Sequence, residues 1–158
     1  RTILTKLFDS IEEKNREAFR SLEEGDYFKA RELLEEKRSI DVLHALYDRT
    51  PESYKKAIAI GEKLLQDPKE QQDPFLHIWL ACGYALDYAS RKEQDKVPEA
   101  QLQPIKEKVL REIKAALAID PESKALLRSL WKPAPGAPDD DLTGFAPDDP
   151  DLKALLEE

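Results

Sequence analysis

The chain has one cysteine, Cys82, and no methionine among its 158 residues. A single cysteine excludes an internal disulfide framework. Its place inside an apolar stretch makes a reducing, cytoplasmic compartment the expected setting. No run approaches the roughly 20 apolar residues of a membrane-spanning helix, and no signal-peptide pattern is present, so no membrane partner is expected. Basic charge is in short supply: 25 Lys and Arg face 33 Asp and Glu. No segment offers the basic patch that displaces counterions from phosphate, so nucleic acid is not an expected partner. Phosphate loops, dinucleotide fingerprints and nucleophile elbows are all missing. So is the alternation of apolar and polar residues that marks a strand, and the expected fold class is all-α. With Arg1 first and no methionine, the chain is expected to be a piece of a longer protein.

The charge that is present is unevenly spread. Residues 133–158 hold eight acids against one base, Lys153, while the rest carries 25 acids and 24 bases and is nearly neutral. The same boundary marks a change in composition, because Pro133, Pro135, Gly136, Pro138, Gly144, Pro147 and Pro150 oppose regular structure. Two regions are therefore expected: 1–132, helical, and 133–158, an irregular acidic tail closed by a short helix at 152–156.

Within the helical region, spacings of three and four predict seven helices. The first covers 2–24, with Leu4, Leu7, Phe8, Ile11, Ala18 and Leu22 in its stripe and Asn15 as a polar break. Gly25 suits its left-handed end, and Asp26 suits the cap of the next helix, 26–38, with Tyr27, Ala30, Leu33 and Leu34 inward. A third is expected over 40–48, through Ile40, Leu43, Leu46 and Tyr47. Thr50-Pro51 opens a fourth, which Asp67-Pro68 stops, and Asp73-Pro74 opens a fifth over 74–90. The fifth is apolar on two sides. Phe75, Ile78, Trp79, Cys82, Ala85, Leu86 and Ala89 form one stripe, and Leu80, Tyr84 and Tyr88 a second. Such a helix is sandwiched between neighbours or lines a groove. Gly83 would admit a close neighbour. Residues 90–104 read as an insertion before a sixth helix ending at Ile119, and a seventh follows over 122–131.

These residues resemble tetratricopeptide repeats, whose unit of about 34 residues is a pair of antiparallel helices. Gly25-Asp26-Tyr27 with Ala30 is similar to the opening of a unit's second helix, and Tyr54 with Ala57 to the same place one unit on. Trp79 and Gly83 resemble the first helix of a third unit, and Ala116-Leu117 with Pro121 its end. The 27 residues from Ala30 to Ala57 fall short of the family period. The tail, Asp141-Leu142, Phe145, Asp149-Pro150-Asp151-Leu152 and Leu155-Leu156, resembles segments that close such arrays in bacterial signalling proteins. The resemblance implies a short tetratricopeptide-like α-solenoid of about three helix pairs with a C-terminal capping helix, Leu142, Phe145, Leu152, Leu155 and Leu156 covering its last apolar face.

Candidate chemistry is sparse. His44 and His77 lie in no metal-ligand spacing, so no metal is expected. Cys82 is expected to be a buried structural thiol, since His77, five residues away, points elsewhere on a helix. The runs Asp139–Asp141 and Asp148–Asp151 lack the spacing of a calcium loop. No catalytic residue and no cofactor is expected. In the resembled family the first helices of successive units line a concave peptide groove. By that analogy His77, Leu80, Tyr84, Asp87 and Tyr88 would face it, Asp87 and Tyr88 being the more exposed. For Leu80 and Tyr84, packing on neighbouring helices is the alternative. The function implied is a protein- or peptide-binding module, a regulatory or scaffolding part of a larger protein, whose partner could be another domain of that parent. A small-ligand sensor between the fifth and sixth helices is a second expectation, and a helical enzyme a third.

Overall fold

A computed structural model describes residues 3–136 and 139–158 and, within the first helix, side chains from residue 13 onward. Leu4, Leu7, Phe8 and Ile11 thus lie outside the described side chains. The elements among the described residues are α1 (Ile3–Glu23), α2 (Tyr27–Leu34), α3 (Ile40–Leu46), α4 (Pro51–Leu64), a 3-10 turn (Glu70–Gln72), α5 (Pro74–Glu93), α6 (Glu99–Ile119), α7 (Ser123–Trp131) and α8 (Pro150–Leu156). The all-α class holds across them.

The chain forms two compact units, Arg1–Lys37 and Arg38–Glu158. Within the second unit the tail buries Leu142, Phe145, Leu152 and Leu156. In the first unit α1 packs on α2. Gly25, at φ +76°, ends α1. The Asp26 N–H then reaches the Ser21 carbonyl at 2.8 Å, closing the helix through a left-handed residue. Asp26 caps α2 by accepting from the Lys29 N–H at 3.1 Å. α2 stops at Leu34, short of the expected 38, since residues 35–39 contain no apolar side chain to pack. Tyr27, expected inward, is exposed, and its neighbour Phe28 is 79% exposed. Asn15 breaks the α1 stripe with a buried side-chain oxygen that has no hydrogen-bond partner among the described residues.

In the second unit α4, α5 and α8 each start on a side-chain cap. Thr50 and Ser53 form a reciprocal capping box, with Pro51 in the first turn of α4. Asp73 accepts from the Phe75 N–H at 3.0 Å and from the Ser39 hydroxyl at 2.6 Å, tying the start of α5 to the start of α3. The expected insertion at 90–104 is absent. α5 continues to Glu93 and α6 begins at Glu99, with Pro104 inside α6. Arg91 and Lys92 occupy the last turn of α5, where positive charge complements the helix dipole.

α5 is the central element, in extensive contact with α6 and α4 and also touching α3. Close approach is set by Gly61, where an added Cβ would fall 2.5 Å from Leu80 Cγ. At Gly83, the residue expected to admit a neighbour, it would fall 3.4 Å from Ile58 Cγ1. Gly61→Ala is therefore expected to destabilise by about 1–3 kcal/mol, overpacking outweighing the gain of about 1 kcal/mol in helix propensity. Gly83→Ala should stay within about 1 kcal/mol of the parent. Urea denaturation of both variants checks the contrast, and equal losses would contradict it.

Candidate functional site

The five residues expected to line a groove on α5 are all buried. Leu80 lies against Gly61 of α4. The Tyr84 hydroxyl donates to Glu62 Oε1 at 2.6 Å, and Lys108 Nζ lies 5.5 Å from the Tyr84 ring centroid. Burial, then the bond to Glu62, pushes the Tyr84 pKa well up. Asp87 accepts from Arg91 Nε at 3.1 and 3.2 Å, one turn along the same helix. Tyr88 packs on Phe145, centroids 4.6 Å apart. Asp87 and Tyr88, expected to be the exposed pair, are 7% and 6% exposed. The correction has a simple cause: α4, α6 and the tail occupy the space that an open groove would need.

His77 forms the most polar of these burials. Its Nδ1 lies 2.9 Å from Glu112 Oε2 on α6, and its Nε2 lies 2.8 Å from the Gln71 carbonyl. Both ring nitrogens face acceptors, an arrangement that only the doubly protonated imidazolium satisfies fully. Burial works against that charge, but the bonds to Glu112 and Gln71 outweigh it and raise the His77 pKa above its ordinary value. Glu112 also meets Arg111 Nη2 at 3.4 Å. Beside the pair lies a shallow hollow of about 410 Å³ lined by Leu65, Gln71, Gln72, His77, Arg111, Glu112, Ala115 and Ile119. Glu112 had a signal in the sequence. It stands three residues after Val109 and one before Ile113, on the buried face of α6. A carboxylate in that register points to a buried partner.

A second cluster joins the tail to the helices. Arg49, at φ +53°, brings Nη1 to 2.6 Å from Asp141 Oδ1. Burial raises the Asp141 pKa despite Arg49. Cys82 is a free, buried thiol in the same neighbourhood, pushed well up first by burial and then by Asp141. It has the character of a structural cysteine, not of a nucleophile. Another buried group, the Trp79 indole N–H, has no hydrogen-bond partner among the described residues.

A second concavity lies on α3 and α4. It measures about 510 Å³ and is lined by Asp41, His44, Ala45, Asp48, Thr50, Glu52, Ser53, Lys56 and Ile60. Ala45 and Ile60 are its half-buried apolar surfaces, while Asp41, Asp48 and Glu52 stand exposed around them with one lysine. Tyr47 lies 5.6 Å from the His44 ring and is 64% exposed, although its sequence pattern placed it in the apolar stripe of the third helix. Among the described residues no three His, Cys, Asp or Glu side chains converge as metal ligands. No described helix is long and apolar enough to cross a membrane. No protein-family model matches the chain, and no curated protein or solved structure is significantly similar to it.

Proposed function

We propose that the second unit is a peptide-binding helical module, a tetratricopeptide-like pairing of helices that recognises a cationic segment of a protein partner. The observation that carries this reading is the hollow on α3 and α4, with three carboxylates against one lysine and an exposed tyrosine beside it. Carboxylates around a half-apolar floor favour lysine or arginine side chains, whose stems pack while their charges pair. In the family resemblance α3 is the first helix of its pair, the position that lines a peptide groove. With α5 buried, α3 is the element of the second unit left to serve it. The role that goes with this chemistry is regulatory or scaffolding, as part of a larger cytoplasmic protein, and recognition rather than turnover is the activity.

The test is fluorescence anisotropy with lysine- and arginine-rich peptides against acidic and scrambled-charge controls. The cationic peptides should bind and weaken with added salt. The triple variant Asp41→Asn, Asp48→Asn, Glu52→Gln should lose at least about tenfold in affinity, or roughly 1.4 kcal/mol, with an unchanged helical spectrum. Equal binding by the variant and the parent would remove the reading.

The hollow beside His77 and Glu112 favours one alternative, a small-ligand sensor between α5 and α6. A metabolite that raises the melting temperature of the parent but not of a Glu112 variant would support it.

A further inference from the structure

The acidic tail lies on the helices as a ligand lies in a site. Leu142 and Phe145 are buried, and the tail's main chain meets α7 at two points. The Leu142 N–H donates to the Leu130 carbonyl at 3.2 Å, and Trp131 Nε1 donates to the Ala146 carbonyl at 3.0 Å. Gly144 lies flat on α5, where a Cβ would fall 2.9 Å from Ala89 Cβ. Phe145 is held by the Tyr88 ring on one element and by Lys106 Nζ, 5.8 Å from its centroid, on another.

Cations mark both ends. Arg49 meets Asp141 at 2.6 Å and Asp140 at 4.0 Å. Lys106 meets Asp149 at 2.6 Å and Asp151 at 3.0 Å, with Lys106 and Asp149 both largely shielded from solvent. An aromatic anchor in a packed pocket, flanked by paired charges, is the anatomy of a recognition hot spot. The tail's composition is that of a separate segment: eight acids and one base after a linker rich in proline.

We propose that the surface of α5 and α6 between Arg49 and Lys106 is a recognition site for an acidic, phenylalanine-anchored segment of the pattern Asp-Leu-x-x-Phe, followed by further acids. The chain's own residues 139–158 are its resident occupant. A partner segment of the same chemistry competes for the site. The site shares no lining residue with the hollow on α3 and α4, so it stands or falls independently of the function proposed above. Occupancy by the tail is expected to be strong while the tail is tethered, because a short linker gives an effective concentration of order millimolar.

The experiment cuts the tether in the full chain. A protease sequence is inserted between Pro135 and Gly136, the protein is cleaved, and a labelled peptide of residues 139–158 is added. Expected results are a helical spectrum that persists after cleavage and exchange of the labelled peptide into the cleaved protein. Affinity should fall at least about tenfold in about 0.5 M salt, and a labelled peptide carrying Phe145→Ala should bind at least about tenfold more weakly. The uncleaved chain should take up little label. The proposal is overturned if the cleaved protein loses its helical spectrum, which would make the tail an inseparable part of the core. It is equally overturned if the label fails to exchange, or if the Phe145→Ala peptide binds as well as the parent sequence.

Discussion

Replacing Phe145 by alanine is expected to lower the unfolding free energy by about 3–5 kcal/mol, the range for removing a buried aromatic side chain. Phe145 is 3% exposed and touches Tyr88 and the field of Lys106. Its loss leaves a void on α5 and removes the side chain that seats the tail between its two ion pairs. The effect cannot exceed the free energy with which the tail docks, so the variant should unfold in two steps or at a much lower denaturant midpoint while α4, α5 and α6 still form. Phe28→Ala is the control. Phe28 is 79% exposed, and surface changes of that kind fall within about 0.5 kcal/mol. Chemical denaturation of the two variants beside the parent makes the comparison, and similar losses would contradict the packing described for the tail.

The second large effect is expected at Glu112. Removing one member of a buried charge pair strands the other, at a cost of about 3–5 kcal/mol. Glu112→Leu fits the apolar register of α6 and leaves His77 without its carboxylate. The pH dependence supplies an independent signature. The folded-state pKa of His77 is raised, so its contribution is fully present below the unfolded value of about 6.5. It is lost as pH rises through the folded value, because the folded state then binds more protons than the unfolded state. The urea midpoint of the parent should therefore fall across that window. In Glu112→Leu this fall should disappear. A parent whose stability rises through the same window would show that His77 is buried in its neutral form.

Much of the fold is local, and that part is legible in the sequence. Gly25 ends α1 with positive φ, Thr50-Pro51 starts α4, and Asp73-Pro74 starts α5, because each is decided by groups within about one turn. The ends of α2 and α5 were less legible, because no glycine stop or other single capping residue fixes either of them. Residues 35–39 have nothing apolar to hold them in α2, while residues 91–93 continue α5 into solvent.

The candidate site was far less legible. A helix apolar on two sides is compatible with a groove wall or with a buried centre. The choice at Tyr84 and Tyr88 rests on Glu62, Lys108 and Phe145, three residues from three other segments. Helical periodicity carries no such long-range pairing. The same holds for Arg49 with Asp141, which join positions far apart in the chain. By contrast, the carboxylate of Glu112 in an apolar register was a readable sign of a buried pair.

Titration of the isotope-labelled full chain with a lysine- and arginine-rich peptide, followed by amide chemical shifts, tests the proposed function most directly. Saturable shifts concentrated at residues 41–60, and lost in the Asp41→Asn, Asp48→Asn, Glu52→Gln variant, are the expected result. Shifts centred on α5, or no saturable shifts while the chain remains folded, would contradict it.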